Sequence, residues 1–216
     1  MDYLARSCKV VKPSEIMTAE AEGSKNIIAI TFDDAFAGVK EHAIPVLREF
    51  GLPAGIFVPA GRLGQKSGWE VFDDFEDANG MVINEEQILE LDKDGFEIFS
   101  HTYSHPVLTE VNDGRLEVEL VESKNLLEGI VGHEILAISY PYGAYDARIC
   151  EAAERYGYKL GFTIEPDMVC GATRCLEIGR FSVSPQDSLL KFKLKNNGAY
   201  QVAKYLRCLK KSFVKA

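Results

Sequence analysis

Two adjacent aspartates and a pair of histidines are the residues of this 216-residue chain best suited to chemistry. Asp33 and Asp34 follow the apolar run IIAITF. His101 and His105, four residues apart in SHTYSHP, follow FEIF. Two imidazoles and a carboxylate form a ligand set for a divalent ion such as zinc, and the second carboxylate could accept a proton from water. This pattern predicts a hydrolytic metal centre.

Each half of the pattern also has a simpler interpretation. A pair of aspartates can cap a helix N-terminus, and a histidine pair with this spacing can lie on a surface or cap a helix. Both pairs follow strand-like runs, in a chain with four histidines, and this combination favours the metal interpretation. The other two, His42 and His133, are interpreted as ordinary helix and loop residues.

Strand-like and helix-like segments alternate along the chain. Amphipathic segments lie at about 38–50, 84–94, 113–130 and 145–156. Between them lie short runs that are apolar on both faces, as buried strands are: IIAITF, PAGIFVPA, FEIFS, ILAISY, KLGFTI and EIGRFSV. The alternation predicts an α/β fold with a parallel sheet or barrel. The carboxyl ends of its strands would bring the aspartates and histidines to one face.

No linker, repeat or low-complexity segment divides the chain, so we predict a single domain over residues 1–216. The irregular segment 61–80 contains the only tryptophan, Trp69, and is interpreted as a functional loop or as a surface excursion. Residues 188–216 carry eight Lys or Arg and no acid, with apolar residues at helical spacing. We predict a basic C-terminal helix that packs on the barrel. A contact for an anionic carrier lipid or polymer is the alternative.

Composition excludes several classes of protein. The net charge of −9 argues against a nucleic-acid-binding surface. The five cysteines are scattered, which indicates reduced thiols. No apolar run approaches the roughly 18 residues of a transmembrane helix, and the N-terminus lacks the apolar core of a secretory signal. We therefore expect a cytoplasmic protein as the sequence is given, with a removed leader left open. The oligomeric state is not predicted.

Three motifs together resemble the polysaccharide deacetylases with the NodB homology domain, also known as carbohydrate esterase family 4. TFDDAF is similar to the family's TFDDG, HTYSHP to its H(S/T)xxHP, and YPYGAYD to the YPYG variant of its third motif. The resemblance covers roughly Asn26 to Val183. It implies a distorted TIM-like (β/α) barrel. It also implies metal-dependent removal of acetyl groups from an N-acetylated oligosaccharide, polysaccharide or glycan carrier.

The resemblance assigns roles residue by residue. Asp33 would be the general base, and the backbone N–H of Tyr142 would stabilise the oxyanion. The metal ligands would be Asp34, His101 and His105. Zinc is the first choice of metal, with cobalt, nickel or manganese as alternatives.

Two features depart from the family pattern. Ser139 and Tyr140 stand where an arginine often precedes the third motif. We expect Arg180, in EIGRFSV, to replace it by pairing with Asp33 and keeping that carboxylate ionised, whereas a surface position is the alternative. Ala35 stands in place of the glycine of the first motif.

No histidine follows His133, so the family's late acid histidine is missing from the sequence. We expect the chain as given to bind metal but to deacetylate slowly, either because an upstream histidine is not in this sequence or because Asp33 or water serves as the acid. Two alternatives stay open. One is a catalytically weakened glycan-binding module, and the other is a hydrolase of another amide or ester on the same barrel.

Overall fold

A computed structural model describes residues 1–69 and 80–198 of the chain. Its centre is a parallel sheet of five strands whose spatial order follows the chain order. The strands are Thr31–Phe32 (β3), Gly55–Val58 (β4), Glu97–Ser100 (β5), Ala137–Ser139 (β6) and Leu160–Phe162 (β7). The sheet curls into a half-barrel, which confirms the predicted distorted (β/α) barrel.

A second, two-stranded parallel sheet precedes the first one. It pairs Lys9–Val11 (β1) with Ile27–Ala29 (β2). Only Ile30 separates β2 from β3, and its carbonyl accepts a hydrogen bond of 2.9 Å from the N–H of Gly55 at the start of β4. The run IIAITF therefore serves both sheets and ends at the two aspartates.

Helices connect the strands and cover the outer face of the sheet. The α-helices of the described residues are Asp2–Ser7 (α1), Ile16–Ala21 (α2), Ile44–Phe50 (α3), Glu85–Lys93 (α4), Asp113–Val131 (α5), Ala147–Arg155 (α6) and Leu189–Asn196 (α7). The four predicted helical segments correspond to α3 to α6, and a π-helical turn at Val39–Ala43 runs directly into α3.

Side-chain caps fix where these helices begin. Asn84 and Gln87 form a reciprocal capping box at α4. Asn112 and Asp146 accept backbone hydrogen bonds at the starts of α5 and α6. Gly132, with φ 78°, ends α5 in the left-handed conformation that glycine adopts without strain. Each of α3 to α6 is followed by a strand that runs parallel to the one before it, as helical crossovers between parallel strands do.

The strand side chains alternate between two apolar clusters. In β4, Ile56 and Val58 pack against the helices, whereas Phe57 points into the barrel. The Phe57 ring lies 5.3 Å from those of Phe99 and Phe162, measured between centroids. These aromatic rings fill the barrel interior and form the floor beneath the polar residues at the strand ends.

The segment EIGRFSV does not form the predicted strand. It makes only an isolated parallel bridge between Ile178 and Phe162. A continued ladder would direct the N–H of Arg180 to the carbonyl of Thr163. Instead that N–H donates to Glu165, and the Arg180 side-chain Nε donates to Thr163 at 2.9 Å. The arginine side chain therefore takes the carbonyl that a continued strand would have used.

The basic C-terminal segment is described only in part. Ser188 caps α7, which ends at Asn196 and is followed by Gly198 with φ 69°. Residues 70–79 and 199–216 lie outside the described residues, and with them half of the irregular segment and most of the predicted terminal helix. That the chain forms one domain stays a prediction. No helix among residues 1–69 and 80–198 is long and apolar enough to cross a membrane.

Candidate metal centre and active site

The three sequence motifs meet at the carboxyl end of the half-barrel. Asp33 and Asp34 follow β3, His101 follows β5, and a 3-10 turn at Pro141–Gly143 follows β6. The structure brings all the predicted site residues together. They are Asp33, Asp34, His101, His105, Tyr142 and Arg180, joined by the contacts described below.

Asp34 and the two histidines form a candidate metal site. The Oδ1 atom of Asp34 lies 3.3 Å from Nε2 of His105 and 3.7 Å from Nε2 of His101. One ligand atom from each residue can be chosen so that all three lie within 4.8 Å of one another. Asp34 Oδ1 is also buried without a hydrogen-bond partner. A buried carboxylate oxygen in this position fits a cation, because an unpaired polar atom is otherwise costly.

The tautomer of His101 suits metal binding. Its Nδ1 lies 2.8 Å from the backbone carbonyl of Ser139, which can only accept a hydrogen bond. Nδ1 must therefore carry a proton, which leaves Nε2, the nitrogen that faces Asp34, available to bind a metal. A hydrogen bond of this kind is the usual way in which proteins orient a metal-binding histidine.

His105 is oriented by ring contacts. Its Nδ1 is buried and has no hydrogen-bond partner. The Trp69 ring stacks on the imidazole at 4.2 Å and 18°, and the Tyr142 ring meets it edge-on at 4.8 Å. Burial, with a contribution from His101, lowers the pKa of His105 to about 3. The imidazole is therefore neutral at ordinary pH, as a metal ligand must be.

Asp33 has a different environment from its neighbour. Arg180 donates from Nη1 and Nη2 to the two oxygens of Asp33, each at 2.8 Å, and the Ser139 hydroxyl donates to Oδ2 at 3.2 Å. Burial alone would raise the pKa of Asp33, but Arg180 outweighs it and holds that pKa well below its usual range. Burial raises the pKa of Asp34, and the charge of Asp33 adds to that rise.

Arg180 is itself held firmly. Nε donates to Thr163, and Nη1 donates also to the hydroxyl of Thr31 at 3.1 Å. The guanidinium lies over the rings of Phe57 and Phe162, at 5.4 and 5.8 Å from their centroids. The predicted contact with Asp33 is present in the structure, and the surface alternative for Arg180 is wrong. Its part in catalysis stays a prediction.

Backbone strain is concentrated at the same place. Six non-glycine residues among those described have positive φ, and five of them lie in the three motifs: Asp34, Ala35, Thr102, His105 and Tyr142. Ala35, at φ 49°, adopts the left-handed conformation that the family's glycine would reach without strain. Such residues cost about 1–3 kcal/mol each and cluster at functional sites. The oxyanion contact of the Tyr142 amide stays a prediction.

Two contributors to the site were not predicted from the sequence. Trp69 was assigned only to an irregular segment, and Ser139 only to the place of a missing arginine. The position of Ser139 at the end of a strand, just before the third motif, was a signal for its role. Trp69 carried no comparable signal, because its contact with His105 joins distant parts of the chain.

The sequence model of the family described as polysaccharide deacetylase matches residues 20–161. The chain belongs to the polysaccharide deacetylase family. YxkH of Bacillus subtilis (strain 168), named as a polysaccharide deacetylase, is 30% identical over 172 residues, covering 80% of this chain and 57% of that protein. The poly-beta-1,6-N-acetyl-D-glucosamine N-deacetylase of Staphylococcus aureus (strain MRSA252) is 25% identical over 169 residues, covering 74% and 55%. The chain thus spans little more than half the length of these curated relatives.

Several solved structures share this fold. The Streptococcus pyogenes deacetylase PplD in complex with acetate has a TM-score of 0.77 at 23% identity, over 90% of this chain and 82% of that chain. IcaB from Ammonifex degensii has a TM-score of 0.73 at 25% identity, over 90% and 85%. The half-barrel described above is therefore the deacetylase fold.

Proposed function

We propose that this polysaccharide deacetylase family member is a metal-dependent hydrolase that removes acetyl groups from an N-acetylated saccharide. The observation that carries the proposal is the buried, unpartnered Oδ1 of Asp34, which faces Nε2 of His101 and of His105. The Staphylococcus aureus relative, whose name specifies N-acetylglucosamine polymers, supports the substrate class.

Asp34, His101 and His105 would hold the metal. When bound, a divalent ion such as zinc polarises the acetyl carbonyl and lowers the pKa of water. Zinc suits this set of two nitrogens and one oxygen, and cobalt, nickel or manganese could occupy the same ligands.

Asp33 would act as the general base. The paired Arg180 keeps its carboxylate ionised and fixes its orientation, so that an oxygen is ready to accept a proton from the attacking water. A depressed pKa makes Asp33 a weak base, and it can work only on water that is unusually acidic. The left-handed turn at Tyr142 would present that residue's N–H to the oxyanion.

None of the residues described so far is suited to protonate the departing amine. Of the other two histidines, His42 lies in the π-helical turn before α3. His133 bonds to Asp92 at 2.7 Å in the loop that precedes β6, at the opposite end of the barrel. An absent general acid costs about 10²–10⁴-fold. We therefore propose that the chain cleaves esters faster than amides, since an alcohol leaves more readily than an amine.

The test compares turnover of an N-acetylglucosamine oligomer with that of an O-acetyl sugar ester. We expect chelator to abolish both activities, zinc to restore them, and the ester to react faster. Asp33→Asn serves as the inactive control. Efficient amide cleavage would show that another group supplies the proton. Saturable binding of the oligomer with no turnover of either substrate would favour the glycan-binding module.

A further inference from the structure

Glu119, in the middle of α5, is a fully buried acidic residue that points at the loop between the two histidines. Its exposure is 0%, and its two carboxylate oxygens together accept three hydrogen bonds. Oε2 accepts from the backbone N–H groups of Tyr103 and Ser104, at 2.9 and 2.7 Å. Oε1 accepts from the Ser104 hydroxyl at 2.6 Å and forms an ion pair with Nη2 of Arg115 at 2.7 Å. A buried carboxylate with this many donors is rigidly held.

The loop that Glu119 binds, residues 102–105, has a backbone conformation that its residues do not favour on their own. Thr102 and His105 have φ of 64° and 62°, and neither is a glycine. Such conformations persist only where the surroundings fix them. Glu119 binds the two residues that lie between these strained positions, and it does so through main-chain groups. Any side chain at 103 would therefore be held in the same way.

We propose that Glu119 is a positioning residue that sets the separation and direction of His101 and His105 for metal binding. The inference rests on the proposed function, since it requires the two histidines to be ligands. It assigns a role to α5, which contributes no residue to the three motifs. The carboxylate acts through the backbone of the loop and does not reach the metal ligands itself.

Glu119→Gln is the sharpest substitution, because it preserves size and removes one acceptor. If the amide oxygen takes the place of Oε2, the amide nitrogen faces Arg115, and two donors oppose each other. In the flipped orientation the nitrogen faces the backbone N–H groups of Tyr103 and Ser104. The first arrangement opposes Arg115 and leaves the Ser104 hydroxyl without its acceptor, whereas the second leaves the two backbone N–H groups unsatisfied. In both, fewer hydrogen bonds hold the loop, so the spacing of the histidines is less firmly fixed.

Two measurements test the inference. The first is the zinc dissociation constant from competition with a chromogenic chelator. Replacing outer partners of metal ligands weakens metal binding by about 10–100-fold, and we expect Glu119→Gln to fall in that range. The second is amide hydrogen exchange of Tyr103 and Ser104 in metal-free protein, which we expect to accelerate by about 10-fold or more as these donors are released.

Leu127→Ala is the matched control. Leu127 is a fully buried residue two turns further along α5, away from the loop, so its truncation lowers the melting temperature without touching the site. We expect zinc affinity within about twofold of wild type, because cavity effects at that distance are independent of the site. An equal loss of zinc affinity in both variants would show that Glu119 contributes only to the general stability of the fold, and it would overturn the inference.

Other outcomes are also decisive. Wild-type affinity and exchange in Glu119→Gln would overturn the inference and leave the proposed function intact. Absence of zinc binding by the wild-type chain would contradict the proposed function, and the inference would fall with it. Should Glu119→Gln fail to fold, Ser104→Ala removes a single donor to Oε1. Its expected loss of zinc affinity is then about threefold, and no loss would count against Glu119.

Discussion

Asp33 and Asp34 are neighbours in sequence, yet their oxygen atoms meet opposite surroundings. Both oxygens of Asp33 accept hydrogen bonds, from Arg180 and Ser139. Oδ1 of Asp34 is buried with no hydrogen-bond partner, and so is Nδ1 of His105 beside it. An unpaired buried polar atom costs about 1–3 kcal/mol. The protein completes one half of the site by itself and leaves the other half suited to a cation.

The pKa values of the two aspartates also shift in opposite directions. Arg180 keeps the pKa of Asp33 low despite burial, whereas burial and the charge of Asp33 raise the pKa of Asp34. Two adjacent carboxylates can therefore serve different purposes, because one is neutralised by a permanent cation of the protein. The other depends on an external one.

Removal of a predicted metal ligand should have the largest effect on metal binding. We expect His105→Ala to weaken zinc binding by more than the roughly 100-fold that outer partners cost, because a direct ligand is lost. Metal content after dialysis measures the effect. His133→Ala, which removes an imidazole from the opposite end of the barrel, should keep its metal. Full metal content in His105→Ala would contradict the assignment of the metal side.

Substitution of Arg180 tests the other half of the site, which contains Asp33. Lysine cannot reproduce the two parallel hydrogen bonds of Arg180, so Arg180→Lys should reduce turnover by about 10–100-fold. The pKa of Asp33 should rise, since its main stabilising partner is weakened. Asp33 would then be protonated at a higher pH, and the acidic limb of the pH–rate profile should move upward.

Arg174→Lys is the matched control for that substitution. Arg174 pairs at the surface with Glu177, three residues away and close to Arg180 in sequence. We expect its turnover and pH–rate profile to match wild type, because exposed ion pairs contribute little. An unchanged profile in Arg180→Lys as well would show that the contact with Asp33 does not tune the base.

The residues of the candidate metal site, Asp34, His101 and His105, could be picked out from the sequence, because residue type and strand-end position are local features. His101 and His105 follow an apolar run, and parallel strands bring their ends together. The contact of Arg180 with Asp33 was also anticipated, but the strand around Arg180 was not correct. The Arg180 side chain binds the Thr163 carbonyl that a continued strand would have used. This contact joins distant residues, and no local pattern in EIGRFSV predicts it.

The C-terminal segment gives a different lesson. α7 ends at Asn196 before Asn197 and Gly198, and an Asn-Gly pair favours the left-handed conformation that ends a helix. The apolar residues at helical spacing lie within 199–216, outside the described residues, so the longer terminal helix stays a prediction. The contact of Trp69 with His105 could not be predicted at all, since it joins residues that are far apart in sequence.

Trp69 offers a milder test of the metal side. Its ring stacks on the His105 imidazole, whose Nδ1 has no hydrogen-bond partner, and aromatic pairs of this kind contribute about 0.5–1.5 kcal/mol. We expect Trp69→Ala to weaken zinc binding by about 3–10-fold, and Trp69→Phe to retain most of the affinity. Equal losses in both variants would show that the stack is not what orients His105.

The same residue provides a spectroscopic check. Trp69 is the only tryptophan of the chain, so its fluorescence reports on the site alone. Nickel bound beside His105 should quench that emission in a saturable, one-to-one titration, and His105→Ala should abolish the response. Metal binding without any change in emission would place the ion elsewhere.

Ser139 contacts both Asp33 and His101, and its substitution tests whether the two halves of the site are independent. The Ser139 carbonyl accepts from Nδ1 of His101, while the Ser139 hydroxyl donates to Asp33 and accepts from Arg180 at 2.8 Å. Ser139→Ala removes the hydroxyl and keeps the carbonyl. A single hydrogen bond contributes about 1 kcal/mol, so turnover should fall about fivefold and the acidic limb should shift slightly upward.

Zinc affinity should stay within about twofold of wild type in Ser139→Ala, because the hydrogen bond that fixes the His101 tautomer is made by the main chain. Chelator competition and a pH–rate profile on the same preparation measure both quantities. A loss of zinc affinity equal to the loss of turnover would show that the two halves are coupled through the Ser139 side chain. The Asp33 and Asp34 environments would then have to be treated as one network, since a substitution confined to the first would have changed the second.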